Sequence, residues 1–167
     1  DPQNPHVVIC VHGLTRNCRD FDYLARALQS DCRVISVDIV GRGQSDWLEQ
    51  AHDYDYYPLY LSDSVSLITH IQAQYQTKMT LDWVGISLGG LIGMILAIQP
   101  NMRIPINKLV LSDIGPLIPA TALKRIADYV GKDIRFKSFE EFKQYMKVIS
   151  ASFGPLTEDQ WHHMAIH

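Results

Sequence analysis

Ser87 stands in VGISLGG, residues 84 to 90, a stretch with no charge, three glycines and a single hydroxyl. Gly85, Ser87 and Gly89 fit the pattern G-x-S-x-G, in which a serine sits on a sharp strand-to-helix turn with its oxygen held clear of the sheet. The glycines are needed because neighbouring backbone packs against such a corner, where Cβ atoms would collide. The chemistry implied is nucleophilic attack and a covalent acyl intermediate. The competing role for Ser87 is a plain one, capping the helix that follows.

A serine that attacks a carbonyl also needs N–H groups aimed at the developing oxyanion. Leu88, directly after Ser87, offers one. A second is expected from Leu14 in HGLT (12–15), where Gly13 lets the chain turn after its first apolar run. His12 reads as a structural histidine that fixes this loop rather than as the base.

These positions make sense only if particular elements carry them. HVVICVH (6–12) and RVISVD (33–38) are short β-branched runs of the kind buried on both faces of a parallel sheet. Asp20 is placed to cap a helix between them, with Phe21, Leu24, Ala25 and Leu28 on one face. A second helix is expected over about 59–75, with a stripe of Leu61, Val65, Ile68, Ile71 and Tyr75. MTLDWVGI (79–86) predicts a strand, LGGLIGMILAI (88–98) a helix apolar all round and therefore buried, and NKLVLSD (107–113) a fourth strand. The βαβαβαβ alternation predicts an α/β fold with a parallel sheet. If 33–38 and 79–86 flank 6–12, the crossovers diverge between Leu14 and Ser87, which is where open α/β sheets bind ligands.

Past Pro116 and Pro119 the pattern turns wholly helical, and the charge balance shifts towards Lys and Arg. We therefore divide the chain into a core (1–116) and a helical region (117–167). In the latter, Leu123, Ile126, Ala127 and Val130 form one stripe. Capping boxes at Ser138/Glu141 and Thr157/Gln160 open two more helices. The last carries no stop signal before His167, from which we expect sequence beyond it.

Composition excludes several classes. A net charge of −3 without clustered Lys or Arg provides no field for nucleic acid. No apolar stretch is long enough to span a bilayer. Three cysteines, Cys10, Cys18 and Cys32, form no CxxC pair and cannot all pair with one another, which points to a reducing, cytoplasmic compartment. His6, His52 and His70 lack partners at ligand spacing, so no metal site and no cofactor is expected. Oligomeric state is not encoded in any pattern here.

CVHGLTRNCRDFDYLARAL (10–28), DIVGRGQSD (38–46), WVGISLGGLIGM (83–94) and LVLSDIGP (109–116), in that order, resemble the α/β-hydrolase superfamily and are similar to its bacterial lipase- and esterase-like members with a helical cap. The resemblance implies that Ser87 is the nucleophile, that Leu14 and Leu88 donate to the oxyanion, and that residues from about Leu117 begin a cap. A serine here disfavours the branches that attack with a carboxylate. It implies a serine hydrolase acting on a small-molecule carboxylic ester or related acyl substrate through an acyl-enzyme. Carbon–carbon bond hydrolysis and perhydrolysis are alternatives within the enzymes. A non-catalytic binding protein that keeps the fold is the alternative outside them.

The family orders its triad as serine, acid, histidine, with the last two on later strands. Those C-terminal core strands are absent from the sequence, which ends within the expected cap. His162, His163 and His167 lie on a cap helix and read as surface or packing residues. Asp113 ends the strand after the nucleophile helix, a position from which some members supply an alternative acid; its other role is to fix the loop into Gly115–Pro116. Gly41 and Gly43 carry no phosphate-loop continuation and let chain pass near the site floor. Trp47 and DYDYYPLY (53–60) read as anchoring aromatics rather than a substrate wall.

Overall fold

Along residues 6–11 the odd positions Val7, Ile9 and Val11 and the even positions Val8 and Cys10 are all buried, so this strand is packed on both faces. In the computed structural model, which describes residues 1–55, 57–100 and 105–167, it is β1 (His6–Val11). The chain continues through α1 (Asp22–Leu28), β2 (Arg33–Val37), α2 (Tyr57–Gln72), β3 (Thr80–Ile86), α3 (Leu88–Ala97) and β4 (Ile106–Ser112). Three helices follow: α4 (Ala120–Ala127), α5 (Phe139–Ile149) and α6 (Glu158–Ile166). Tyr56, part of the aromatic segment noted in the sequence, lies outside the described residues. The described residues fall into two compact units, Asp1–Leu117 and Ile118–His167.

The first unit is a four-stranded parallel sheet in the order β2-β1-β3-β4. The first crossover leaves β1 on one side, and the connection from β3 to β4 runs to the other, so the crossovers diverge between β1 and β3 as expected. Val7, Ile9, Val11, Leu81 and Trp83 form one face with Tyr60, Ile68 and Ile71 of α2 and Ile92 and Leu96 of α3. Val8 and Cys10 form the other with Phe21 and Cys32. All three cysteines are free thiols.

Several local expectations are corrected. Asp20 does not cap α1: Asn17 accepts from the Arg19 N–H at 3.0 Å, while Asp20 is bound by Arg16 Nε and Nη2 at 3.0 and 2.6 Å. The pull of a forked guanidinium outweighs a single capping bond. The buried stripe of α2 is rotated, with Tyr60 inside and Val65 exposed. Tyr75 lies beyond the end of this helix. α3 buries Gly89, Gly90, Ile92, Gly93 and Leu96, whereas Leu91, Met94 and Ile95 are half-buried and Ile98 is exposed. β2 is half-buried throughout, and β4 exposes Val110 and Leu111, because these strands form the two edges of the sheet.

In the second unit the Thr157/Gln160 capping box is complete. At α5, Ser138 accepts from the Glu141 N–H, but Glu141 reaches back to the Lys137 N–H at 2.7 Å rather than to that of Ser138. Phe136 packs on Phe142 and Tyr145 with ring centres 5.3 and 5.1 Å apart. Lys143 and Lys147 both pair with Glu158, joining α5 to α6.

A polar clasp ties three strands at the end of the sheet where β1 begins. Asp82 on β3, nearly buried, accepts from His6 Nε2 on β1 at 2.8 Å and from Asn107 Nδ2 on β4 at 2.7 Å. Asn107 occupies the irregularity where the β3–β4 register shifts. Burial opposes the charge on Asp82, but the hydrogen bonds from Asn107 and His6 outweigh it and hold the carboxyl below its ordinary value of 3.8. The unfolded chain therefore takes up the proton first, and the clasp's contribution, complete above that ordinary value, is lost as pH falls through the folded one. Asp82→Asn should lose less stability than the parent between about pH 5 and 3 in urea titrations; equal losses would show that the clasp carries no pH-dependent stability.

Candidate active site

The site is built where α3 is driven against β1 and β3. A Cβ on Gly85 would lie 2.4 Å from the backbone of Gly89 and Gly90, and one on Gly89 would lie 2.1 Å from the carbonyl oxygen of Val11. Only glycine permits both approaches. Beneath them Trp83 is buried, its indole N–H donating to the Gly89 carbonyl at 2.9 Å and its ring filling the space that a Cβ on Gly93 would need. In the sequence this role of Trp83 is marked only by an indole two residues before the first elbow glycine.

Ser87 pays for this geometry with φ 48° and ψ −111°, a backbone state that costs a non-glycine residue on the order of 1–3 kcal/mol. Its own N–H donates to the Ser112 carbonyl at the end of β4 at 3.0 Å. Its carbonyl accepts from Gly90 and Leu91 at 2.9 and 3.0 Å, and the Gly89 N–H donates to the His12 carbonyl at 3.2 Å. Its side chain, however, makes no capping bond. The backbone of the corner is thus tied on three sides while the half-buried hydroxyl is left uncommitted to the helix.

The first turn of α3 needs partners for its leading N–H groups. Those of Gly89, Gly90 and Leu91 have them; among the described residues the N–H of Leu88 has none. The β1–β3 register pairs Val11 with Gly85, which carries Gly13 to the level of Ser87, and a Cβ on Gly13 would lie 3.6 Å from that of Ser87. Next to it, the Leu14 N–H also lacks a partner among the described residues, and its side chain is exposed.

His12 aims this loop. It is fully buried; its Nε2 accepts from the Ile39 N–H at 3.0 Å and its Nδ1 meets the Gly13 carbonyl at 2.7 Å. A backbone N–H can only donate and a carbonyl can only accept, so the ring is neutral with its proton on Nδ1. Both nitrogens are engaged, and His12 has no lone pair for Ser87. Because C=O and N–H point opposite ways across a trans peptide, holding the Gly13 carbonyl turns the Leu14 N–H to the other side. Within the first unit, His6 is bound to Asp82 at the start of β1, and His52 pairs with the adjacent Asp53.

Asp113 follows Ser112 at the end of β4, opposite Ser87 in an extension of the strand register, with φ 55° and an exposed side chain. Among the described residues that side chain has no hydrogen bond, so the expectation that it fixes the loop into Gly115–Pro116 finds no support. Gly41 and Gly43 both have positive φ and make room for side chains: a Cβ on Gly41 would strike the Tyr54 ring, and one on Gly43 the Asp38 carboxyl. Asp38 accepts from the N–H groups of Cys18 and Gln44 at 2.7 and 2.9 Å. Burial raises its carboxyl, yet these bonds more than offset that and hold it below the ordinary value. Trp47 is 77% exposed, whereas Tyr60 is buried and Tyr54 accepts from the Leu48 N–H.

The family model described as serine aminopeptidase, S33, matches residues 2–151. The chain belongs to this α/β-hydrolase family. It is 48% identical over 161 residues to the 3-hydroxybutyrate-oligomer hydrolase of Cupriavidus necator, covering 96% of this chain and 52% of that protein. It superposes on an α/β hydrolase from Novosphingobium aromaticivorans with TM-score 0.78 and 33% identity, covering 95% of this chain and 53% of the other. A crystal structure of a Rickettsia typhi protein, also 33% identical, gives TM-score 0.90 over 99% of this chain and 56% of that one. The chain spans about half the length of these relatives.

In this α/β-hydrolase chain the state of His12 has a measurable consequence. Burial is the main influence on its ring and holds it below the ordinary 6.5. A second proton on the ring would have to sit on Nε2 and would break the bond from Ile39. The unfolded chain therefore protonates first, so stability complete above about pH 6.5 declines as pH falls towards the folded value. His12→Asn should flatten the fall in stability between about pH 7 and 5 and lower stability at neutral pH by about 1–3 kcal/mol through the orphaned Ile39 N–H. A variant with the parent's slope would contradict the neutral, doubly engaged ring.

Proposed function

We propose that the protein containing this chain is a serine hydrolase in which Ser87 Oγ attacks the carbonyl carbon of an ester. The N–H groups of Leu14 and Leu88 then stabilise the tetrahedral oxyanion, the alcohol leaves, and water hydrolyses the acyl-enzyme. One observation carries this reading: Ser87 is held at positive φ with its side chain released from capping, next to a Leu88 N–H that has no partner among the described residues. A corner serving only as a turn would use glycine at Ser87 and avoid the strain.

The substrate class follows from the relative. The Cupriavidus necator protein is named for hydrolysis of 3-hydroxybutyrate oligomers, and at 48% identity we assign to this protein short oligoesters of hydroxy acids. The base is not His12. On this reading it is a histidine in the part of the protein that corresponds to the relatives' remaining length, together with the canonical acid and the remaining core strands; Asp113, at the end of β4, is the alternative acid. The second unit, Ile118–His167, is on this reading the beginning of a helical cap. No helix among the described residues is long and apolar enough to cross a membrane, and three free thiols support a reducing, cytoplasmic setting.

The full-length protein should be labelled by a fluorophosphonate at Ser87, located by peptide mapping, and should release 3-hydroxybutyrate from its dimer and trimer. Ser87→Ala should abolish labelling and reduce turnover by about 10⁴-fold or more. An unlabelled, inactive full-length protein would instead favour a binding protein that has kept the fold.

A further inference from the structure

The Leu14 peptide is held from a second direction by a residue that neither the elbow nor the oxyanion motif includes. Arg42 lies between Gly41 and Gly43 and reaches back 28 positions to donate from Nε to the Leu14 carbonyl at 3.1 Å. Its Nη1 donates to the Val40 carbonyl at 2.7 Å and lies 3.4 Å from the Tyr60 hydroxyl. The guanidinium carbon sits 5.5 Å from the Tyr54 ring centre and 5.9 Å from that of Tyr60. These aromatic walls are themselves anchored: the Tyr60 hydroxyl donates to the Tyr54 carbonyl at 2.9 Å, and the Tyr54 hydroxyl accepts from the Leu48 N–H at 2.7 Å. The loop bearing Arg42 is closed on itself by bonds from the Gly41 N–H to the Asp46 carbonyl and from the Ser45 hydroxyl to the Asp38 carbonyl.

The two peptides on either side of the Leu14 Cα are therefore each pinned by their carbonyl, that of Gly13 by His12 and that of Leu14 by Arg42. With both planes held, the Leu14 N–H has little freedom to turn. We propose that Arg42 is a positioning residue for the oxyanion donor Leu14, an inference that rests on the serine-hydrolase reading. Its planar fork suits the task, since one rigid group spans two carbonyls, a phenol oxygen and two ring faces; an ammonium on a flexible stem does not.

An oxyanion donor acts chiefly in the transition state, so displacing it lowers kcat and leaves substrate binding nearly intact. In the full-length protein, Arg42→Ala and Arg42→Lys should lower kcat for p-nitrophenyl butyrate by about 10- to 100-fold with KM within about twofold. Methylguanidinium should restore part of the activity of Arg42→Ala, and circular dichroism and melting temperature are to be followed for both variants. Parent-like kcat in folded variants, or a loss carried wholly by KM or by unfolding, would overturn the role of Arg42. Failure of the parent itself to turn over ester or to label at Ser87 would instead overturn the serine-hydrolase reading beneath it.

Discussion

The tight packing of α3 against the ends of β1 and β3 governs everything around Ser87. Gly85 and Gly89 are where a single methyl group would be intolerable, since each faces backbone that cannot swing away. Overpacking a site of this kind typically costs about 1–3 kcal/mol even where neighbours can adjust. The strain at Ser87 is sustained by this wedge and by the bonds of its backbone to Ser112, Gly90 and Leu91. A helix placed farther from the sheet would let the corner relax to an ordinary turn, and the hydroxyl would then be free to cap the helix.

The second structural idea is reciprocity between two loops. Residues 12–18 and 38–44 exchange long-range bonds, among them Ile39 N–H to His12, Cys18 N–H to Asp38, and Arg42 to the Leu14 carbonyl. Each loop supplies both donors and acceptors, and both ring nitrogens of His12 are bonded within the protein although the ring is fully buried. Burial keeps His12 neutral, while Asp38 is held charged by N–H donors from Gln44 in its own loop and from Cys18 in the other. Burial alone would favour the neutral form of each; for Asp38 the N–H donors reverse the outcome.

Much of the fold was legible because it is written in local patterns. The four strands begin and end within one residue of their expected positions, since β-branched runs bounded by Gly, Asp and Pro have few other uses. The elbow was legible for a similar reason: its glycines, serine and flanking elements are contiguous. What the sequence did not reveal depends on distant partners. The burial of Tyr60 on α2 goes with bonds of its hydroxyl to the Tyr54 carbonyl and to Arg42, the displacement of Asp20 from a cap reflects Arg16, and the Asp82 clasp depends on a register shift at Asn107. Least legible of all is Arg42, because a residue between two glycines gives no hint of which carbonyl it will reach. The uneven burial of α3 likewise could not be read from its own composition, which is apolar on every side.

The central claim is that the N–H groups of Leu14 and Leu88 converge on the atom that becomes the oxyanion when Ser87 reacts. A crystal structure of the full-length protein after reaction with a p-nitrophenyl alkylphosphonate tests it most directly. Phosphorus should be bonded to Ser87 Oγ, with a phosphoryl oxygen about 3 Å from both backbone nitrogens. An adduct on Ser87 whose oxygen is held by other groups would contradict the account, as would phosphorus bonded to a different residue.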